Sequence, residues 1–251
     1  MAEGDRKPAS ELQAVPGAPA VPQWVPWGVV PAVGFLVCWQ LFQVVVGGLL
    51  RARPDALGRQ LATVAVSDGA ALALVWALAA LWAGERGRAR DLLGFRKPAW
   101  RTIRSAFKVV AAGAAAYAMV WVALLVVLSR LGKSMPTQPL ADLVRHEHSA
   151  AVVTAAFIVG AVVAPLTEEV IFRSLLYLPL RARLGVVPAA LSVSALFALV
   201  HLYPWGTAQL VVLSLTFVAL FESTGTLWAP IAAHGLYNGV TMLVLRSMAA
   251  Q

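Results

Sequence analysis

Three short stretches in the last third of the chain carry side chains that could do chemistry: Glu168, Glu169 and Arg173; Phe197 and His201; His234 and Asn238. A carboxylate, two imidazoles and a carboxamide are the set needed to split an amide with water. They supply a base, a proton shuttle and donors for the developing oxyanion. Glu169 and Arg173 are spaced i and i+4 with the acid first, the favourable order for an ion pair on one helix face. Glu168 is turned by about 100° from Glu169 and has no such local partner. One carboxylate is therefore structural and the other available. Phe197 precedes His201 by one turn on the same face. His234 and Asn238, again i and i+4, project from one stripe among Ile231, Leu236, Val240 and Leu243. Each group also has a plainer reading: a second ion pair for Glu168, an interfacial hydrogen bond for His201, and interhelical hydrogen bonding for His234 and Asn238. Read together, three apolar helices that each bring polar groups into hydrocarbon call for a common polar chamber.

The elements that carry these residues are membrane helices. Of 251 residues 60% are hydrophobic and 13% charged, too little polar surface for a soluble domain. Uncharged runs at 12–50, 109–129, 148–167, 184–221 and 223–245 are each long enough to cross a bilayer. The fold class expected is all-α, a polytopic transmembrane bundle of about eight segments: 27–50, 61–84, 109–131, 150–165, 168–180, 187–201, 208–221 and 227–245. Segment 168–180 is too short and charged to cross alone. It either continues the preceding helix past Pro165 or packs against the bundle, giving seven or eight crossings. The chain divides into a disordered cytoplasmic tail (1–23), N-terminal transmembrane helices with a basic loop at 85–108 (24–149), and a core bearing the polar residues (150–247).

The net charge of +8 resides largely in connections. Loop 85–108 holds Arg86, Arg88, Arg90, Arg96, Lys97, Arg101, Arg104 and Lys108 against Glu85 and Asp91, which places it, and with it the N-terminus, in the cytoplasm. Nucleic acid is not an expected partner; the bilayer is. The Pro- and Ala-rich tail lacks the layout of a signal peptide. The one cysteine, Cys38, falls in the first apolar run, where a buried, inert thiol is expected. Asp68 is read as lying outside its span, which would start at Gly69. His146 and His148 belong to a solvated connection, and Glu222 to an interfacial helix end. The nine tryptophans suit interface belts. No nucleophile elbow, zincin helix or phosphate loop occurs.

The order Glu168-Glu169-x-x-x-Arg173, Phe197-x-x-x-His201, His234-x-x-x-Asn238 resembles the CPBP or Abi family of intramembrane proteases, which includes the CAAX prenyl endopeptidases. The stretch Thr224-Gly225-Thr226-Leu227-Trp228-Ala229-Pro230-Ile231 is similar to its members too. The resemblance covers about 150–245. It implies a membrane endopeptidase acting on a membrane-anchored or interfacial polypeptide. Glu168 would activate water with His201, His234 and Asn238 would stabilise the oxyanion, and Glu169 and Arg173 would hold the site together. No cofactor is favoured, although Glu168, His201 and His234 could supply a three-ligand zinc site; prenylation of the substrate does not carry over. Two other readings stand beside it: a non-catalytic immunity or interaction protein of the same fold, and a transporter using Glu168 and the histidines as a proton relay.

Overall fold

The computed structural model describes residues 25–50, 56–83, 89–133, 144–145 and 147–249. The tail 1–23, much of the basic loop's acidic and basic start at 84–88, and His146 lie outside the described residues. The chain is an integral multi-pass membrane protein, an all-α bundle. Its helices are α1 (Val29–Leu50), α2 (Ala56–Ala83), the single turn α3 (Ala89–Leu92), α4 (Ile103–Arg130), α5 (Ala150–Leu184), α6 (Val186–Val200), α7 (Thr207–Thr224) and α8 (Trp228–Ala249). Among the described residues, four stretches are long and apolar enough to cross a membrane: Leu61–Ala83, Trp100–Arg130, Ala150–Leu184 and Pro204–Thr224.

Polarity is arranged inside out relative to a soluble protein. Val30, Leu41, Trp82, Phe107, Met119 and Leu236 face outward, whereas Glu169, Arg173, Ser194 and Ser214 are fully buried. Outward apolar surface is what lipid solvates, and inward polar groups find partners only in one another. Cys38 belongs to the outward set, contrary to the buried position expected of it. Nothing in its run of apolar neighbours distinguishes the lipid face from the core face.

The segments expected at 150–165 and 168–180 are one helix. Pro165 does not end α5 because the turns before it, Val159–Val163, widen to a π-type register in which the Ala164 N–H reaches the Val159 carbonyl. The next carbonyl in that register, Gly160, would look to residue 165, and a proline has no N–H to give. Asn238 on α8 fills the place: its Nδ2 donates to the Gly160 oxygen at 2.8 Å. The approach is allowed by Gly235 and Gly239, a small-xxx-small pair on α8 facing Ala161. A Cβ at Gly235 would collide with the Ala161 carbonyl oxygen.

The N-terminal half is stitched to this core by backbone carbonyls. Trp27 Nε1 donates to the Leu175 oxygen at 3.1 Å, Thr226 Oγ1 to the Arg96 oxygen at 2.7 Å, and the Leu227 N–H to the Gly94 oxygen at 2.9 Å. Gly94 (φ 86°) and Gly225 (φ 67°, closing α7) supply the left-handed conformations these turns need. Glu222 is more than an interfacial helix end. It accepts from Arg181 Nε at 2.7 Å, Arg181 Nη2 at 3.2 Å and the Tyr177 hydroxyl at 2.8 Å, clamping α5 to α7. Replacing Glu222 by Ala strands both donors and should lower stability by about 2–3 kcal/mol, read as a fall of about 5–10 °C in the melting midpoint in detergent. The double variant Arg181→Met/Glu222→Leu should recover part of that loss.

Candidate active site

Of the sequence-predicted residues, Glu168, Glu169, Arg173, Phe197, His201 and His234 converge, whereas Asn238 contacts Gly160, about two turns before Glu168 on α5. Glu168, Glu169 and Arg173 come from α5, Phe197 from α6 with His201 immediately after it, and His234 and Asn238 from α8. The pairing expected of Glu169 and Arg173 is present: Arg173 Nε lies 3.0 Å from Glu169 Oε2, with both side chains fully buried. The guanidinium does more than neutralise Glu169. Its Nη2 donates to the Ser214 carbonyl at 3.1 Å and to Ser214 Oγ at 3.0 Å, reaching α7. Its Cζ sits 5.3 Å and 5.4 Å from the ring centres of Phe197 and Phe217, a weakly hydrated cation between two aromatic faces.

Glu169 then turns its other oxygen to His234: Oε1 lies 2.9 Å from Nδ1. Since Glu169 is the ion-pair partner of Arg173, it accepts and Nδ1 carries the proton. Phe217 stacks on the imidazole, with centroids 4.6 Å apart and planes at 25°, which fixes the ring from the side. His201 is held in a similar way, with Nδ1 at 2.6 Å from the Phe197 carbonyl, an acceptor, so the proton is again on Nδ1. Leu202 follows with φ 49°, uncommon for leucine, and turns the chain away just past His201.

Both imidazoles therefore aim Nε2 at one atom. Glu168 Oε2 lies 3.7 Å from His234 Nε2 and 3.9 Å from His201 Nε2. These separations exceed a hydrogen bond, and Glu168 Oε2 is itself buried without a hydrogen-bond partner. Exposure sorts the carboxylates: the Glu168 side chain is 17% exposed and that of His201 23%, whereas Glu169 is sealed. Glu168 faces a cavity of about 150 Å³, and His201 lines it as well. Asn238 sits one turn beyond His234, its Nδ2 engaged by Gly160 as above. Among the described residues, no group of three or more His, Cys, Asp or Glu side chains is gathered closely enough to hold a metal ion. Glu168, His201 and His234 nonetheless share a centre, with Oε2 to Nε2 spacings of 3.7 and 3.9 Å.

Several contributors escaped the sequence reading. Ser214 and Phe217 lie on α7, where a serine and a phenylalanine three residues apart resemble any apolar helix. Gly235 and Gly239 did carry a signal, the small-xxx-small spacing that brackets Asn238. Asp68, expected from the sequence to lie outside its span, sits inside α2, which runs unbroken from Ala56. Asp68 is 1% exposed and lines the same cavity as Glu168. Its position at the end of the charge-free run concealed that the helix extends well before it.

With this geometry in view, residues 150–240 match the Rce1-like family, described as type II CAAX prenyl endopeptidase Rce1-like. The matched segment holds every residue of the converging set. The chain is also similar to YdiL of Bacillus subtilis (strain 168), which carries the name of a membrane peptidase: 30% identity over 87 residues, 35% of this chain and 36% of that protein. The likeness thus spans about a third of the relative's length. No solved structure matches the chain.

Arg173→Ala should leave Glu169 Oε2 without its cationic partner in the bundle and cost about 3–5 kcal/mol, measured by thermal unfolding in detergent. Arg173→Lys should restore only part, because an ammonium reproduces neither the bond pattern to Ser214 nor the stacking between the phenyl rings.

Proposed function

We propose that the chain is a membrane-embedded endopeptidase that hydrolyses a peptide bond of a membrane-anchored or interfacial polypeptide, with 150–247 as its catalytic core. The convergence of two imidazole Nε2 atoms on the Glu168 carboxylate carries this reading. The match of residues 150–240 to the Rce1-like family and the similarity to YdiL support it. In the proposed reaction a water lies between Glu168, His201 and His234. Glu168 takes a proton as the water oxygen bonds to the substrate carbonyl carbon, and His201 Nε2 accepts a hydrogen bond from the same water. The carbonyl becomes a tetrahedral oxyanion. The C–N bond then breaks as the proton passes from Glu168 to the leaving nitrogen, giving an amine and a carboxylic acid; the acid's proton, the second one of the water, then passes to the amine, so that the products part as carboxylate and ammonium.

His234 and Asn238 are assigned to the oxyanion. For that task His234 must carry protons on both nitrogens, and Glu169 on Nδ1 is placed to balance the added charge, with Arg173 orienting Glu169. Asn238 has two amide hydrogens; one is given to Gly160, and the other serves the oxyanion. Glu168 serves as the base in both steps, and each role in the proposed route is filled by a side chain of this chain.

Glu168 lies thirteen residues before Arg181 on α5, about 20 Å along the axis from the end where Arg181 meets Glu222 and Thr226 meets Arg96. That end also carries Lys97, Arg101 and Arg104, and the positive-inside bias makes it cytoplasmic, with the site within the bilayer. An immunity or interaction protein of the same fold would use these groups only for packing. The Asn238–Gly160 bond is of that kind, whereas the wide, half-open spacing around Glu168 is not.

In vesicles with alkyl-anchored peptides, Glu168→Gln should lower kcat by about 10³-fold or more and His201→Ala by about 10²-fold or more, both with unchanged melting midpoints. Exhaustive chelation should leave the wild-type rate unchanged. Full activity of Glu168→Gln would remove Glu168 from its role, and loss on chelation with recovery on zinc would replace the metal-free route.

A further inference from the structure

The cavity at Glu168 has a second wall, built by helices outside the family segment. Trp39 and Gln43 of α1 and Asp68 of α2 face Glu168 and His201 across a space of about 150 Å³. That is room for a few waters or a short stretch of chain, not for a lipid tail. Gln43 Nε2 donates to Asp68 Oδ1 at 3.1 Å and Ser67 Oγ to the same oxygen at 3.5 Å, which orients the carboxyl. Trp39 is 91% buried (9% exposed), and its indole Nε1–H interacts with the Asp68 carboxyl but without the geometry of a full hydrogen bond. A buried donor without a well-placed acceptor is costly, and hydrocarbon has none to offer.

A peptide bond cannot be hydrolysed while its segment stays helical in the membrane. Every unwound residue frees an N–H and a C=O that lipid cannot satisfy. We infer that Trp39, Gln43 and Asp68 form a subsite for the main chain of an unwound peptide beside the scissile bond. A substrate carbonyl accepts from Trp39 Nε1–H, and a substrate N–H donates to the Asp68 carboxyl that Gln43 orients. The pairing selects the ligand class. A peptide group presents one acceptor and one donor, matching the wall. A Lys or Arg side chain presents donors only and would leave the indole unmet, and an acyl chain presents neither. The inference rests on the endopeptidase reading.

The test uses a quenched-fluorescent peptide with a C-terminal alkyl amide that the wild type cleaves in vesicles, and a set in which each amide flanking the scissile bond is replaced in turn by an ester, which removes one N–H. In the wild type, one ester position should raise KM about tenfold. Asp68→Leu should raise KM for the all-amide peptide to a similar degree and show no further penalty at that position, while Asp68→Asn, which keeps an acceptor, retains the wild-type pattern. Trp39→Phe should raise KM about tenfold with the ring's packing preserved. Ester penalties that are absent in the wild type, or the same in wild type and Asp68→Leu, overturn the subsite, as does a Trp39→Phe variant with the wild-type KM. The ester scan on the wild type decides the matter even if the leucine variant fails to fold. Glu168→Gln separates the two levels. If it is inactive and the ester pattern is flat, the subsite alone falls; if the wild type cleaves no peptide, or Glu168→Gln cleaves equally well, the hydrolase reading falls and takes the subsite with it.

Discussion

One carboxylate holds the centre of this bundle. Glu169 is fully buried, and in hydrocarbon an isolated charge of that kind would not persist. It persists because Arg173 meets one oxygen and His234 the other. Each partner is fixed by something further: Arg173 by Ser214 and two phenyl rings, His234 by the face of Phe217. The chain of contacts joins α5, α6, α7 and α8. It leaves the neighbouring Glu168 as the carboxylate with space in front of it and two ring nitrogens aimed at it. A sealed acid thus sets the geometry around an accessible one, and the two differ only by a rotation of one residue along the helix.

The same shortage of partners in the membrane explains α5. A proline inside a membrane helix frees a carbonyl, and the widened turn before Pro165 shifts that freed group to Gly160. Asn238 satisfies it from α8, and the glycines on either side of Asn238 let the helices approach closely enough. Proline, asparagine and two glycines form one device that sets the separation of α5 and α8, and therefore the distance from Glu168 to His234.

Much of this was legible in the sequence because charged and polar residues in an apolar helix are conspicuous. The i, i+4 spacing of Glu169 and Arg173 forecast their pairing, and the three polar stretches forecast a chamber. What stayed hidden was of two kinds. Pro165 reads as a helix end unless the register change beside it is known, so α5 appeared as two segments. Asp68 reads as an interfacial charge unless the helix is known to start at Ala56, and Cys38 has no neighbour pattern to tell lipid from core. Ser214 and Phe217 are ordinary residues made specific only by what lies across from them. Their partnership is tertiary, and no local spacing encodes it.

The central claim is that Glu168 acts on water and does not itself attack the substrate. A single turnover in heavy-oxygen water, with enzyme in excess and mass analysis of product and protein, tests it most directly. The account predicts that the heavy oxygen enters the new carboxylate in the first turnover, with none in the Glu168 side chain. A first-turnover product carrying ordinary oxygen drawn from Glu168, with label later replacing it there, would contradict the account and make that carboxylate the nucleophile.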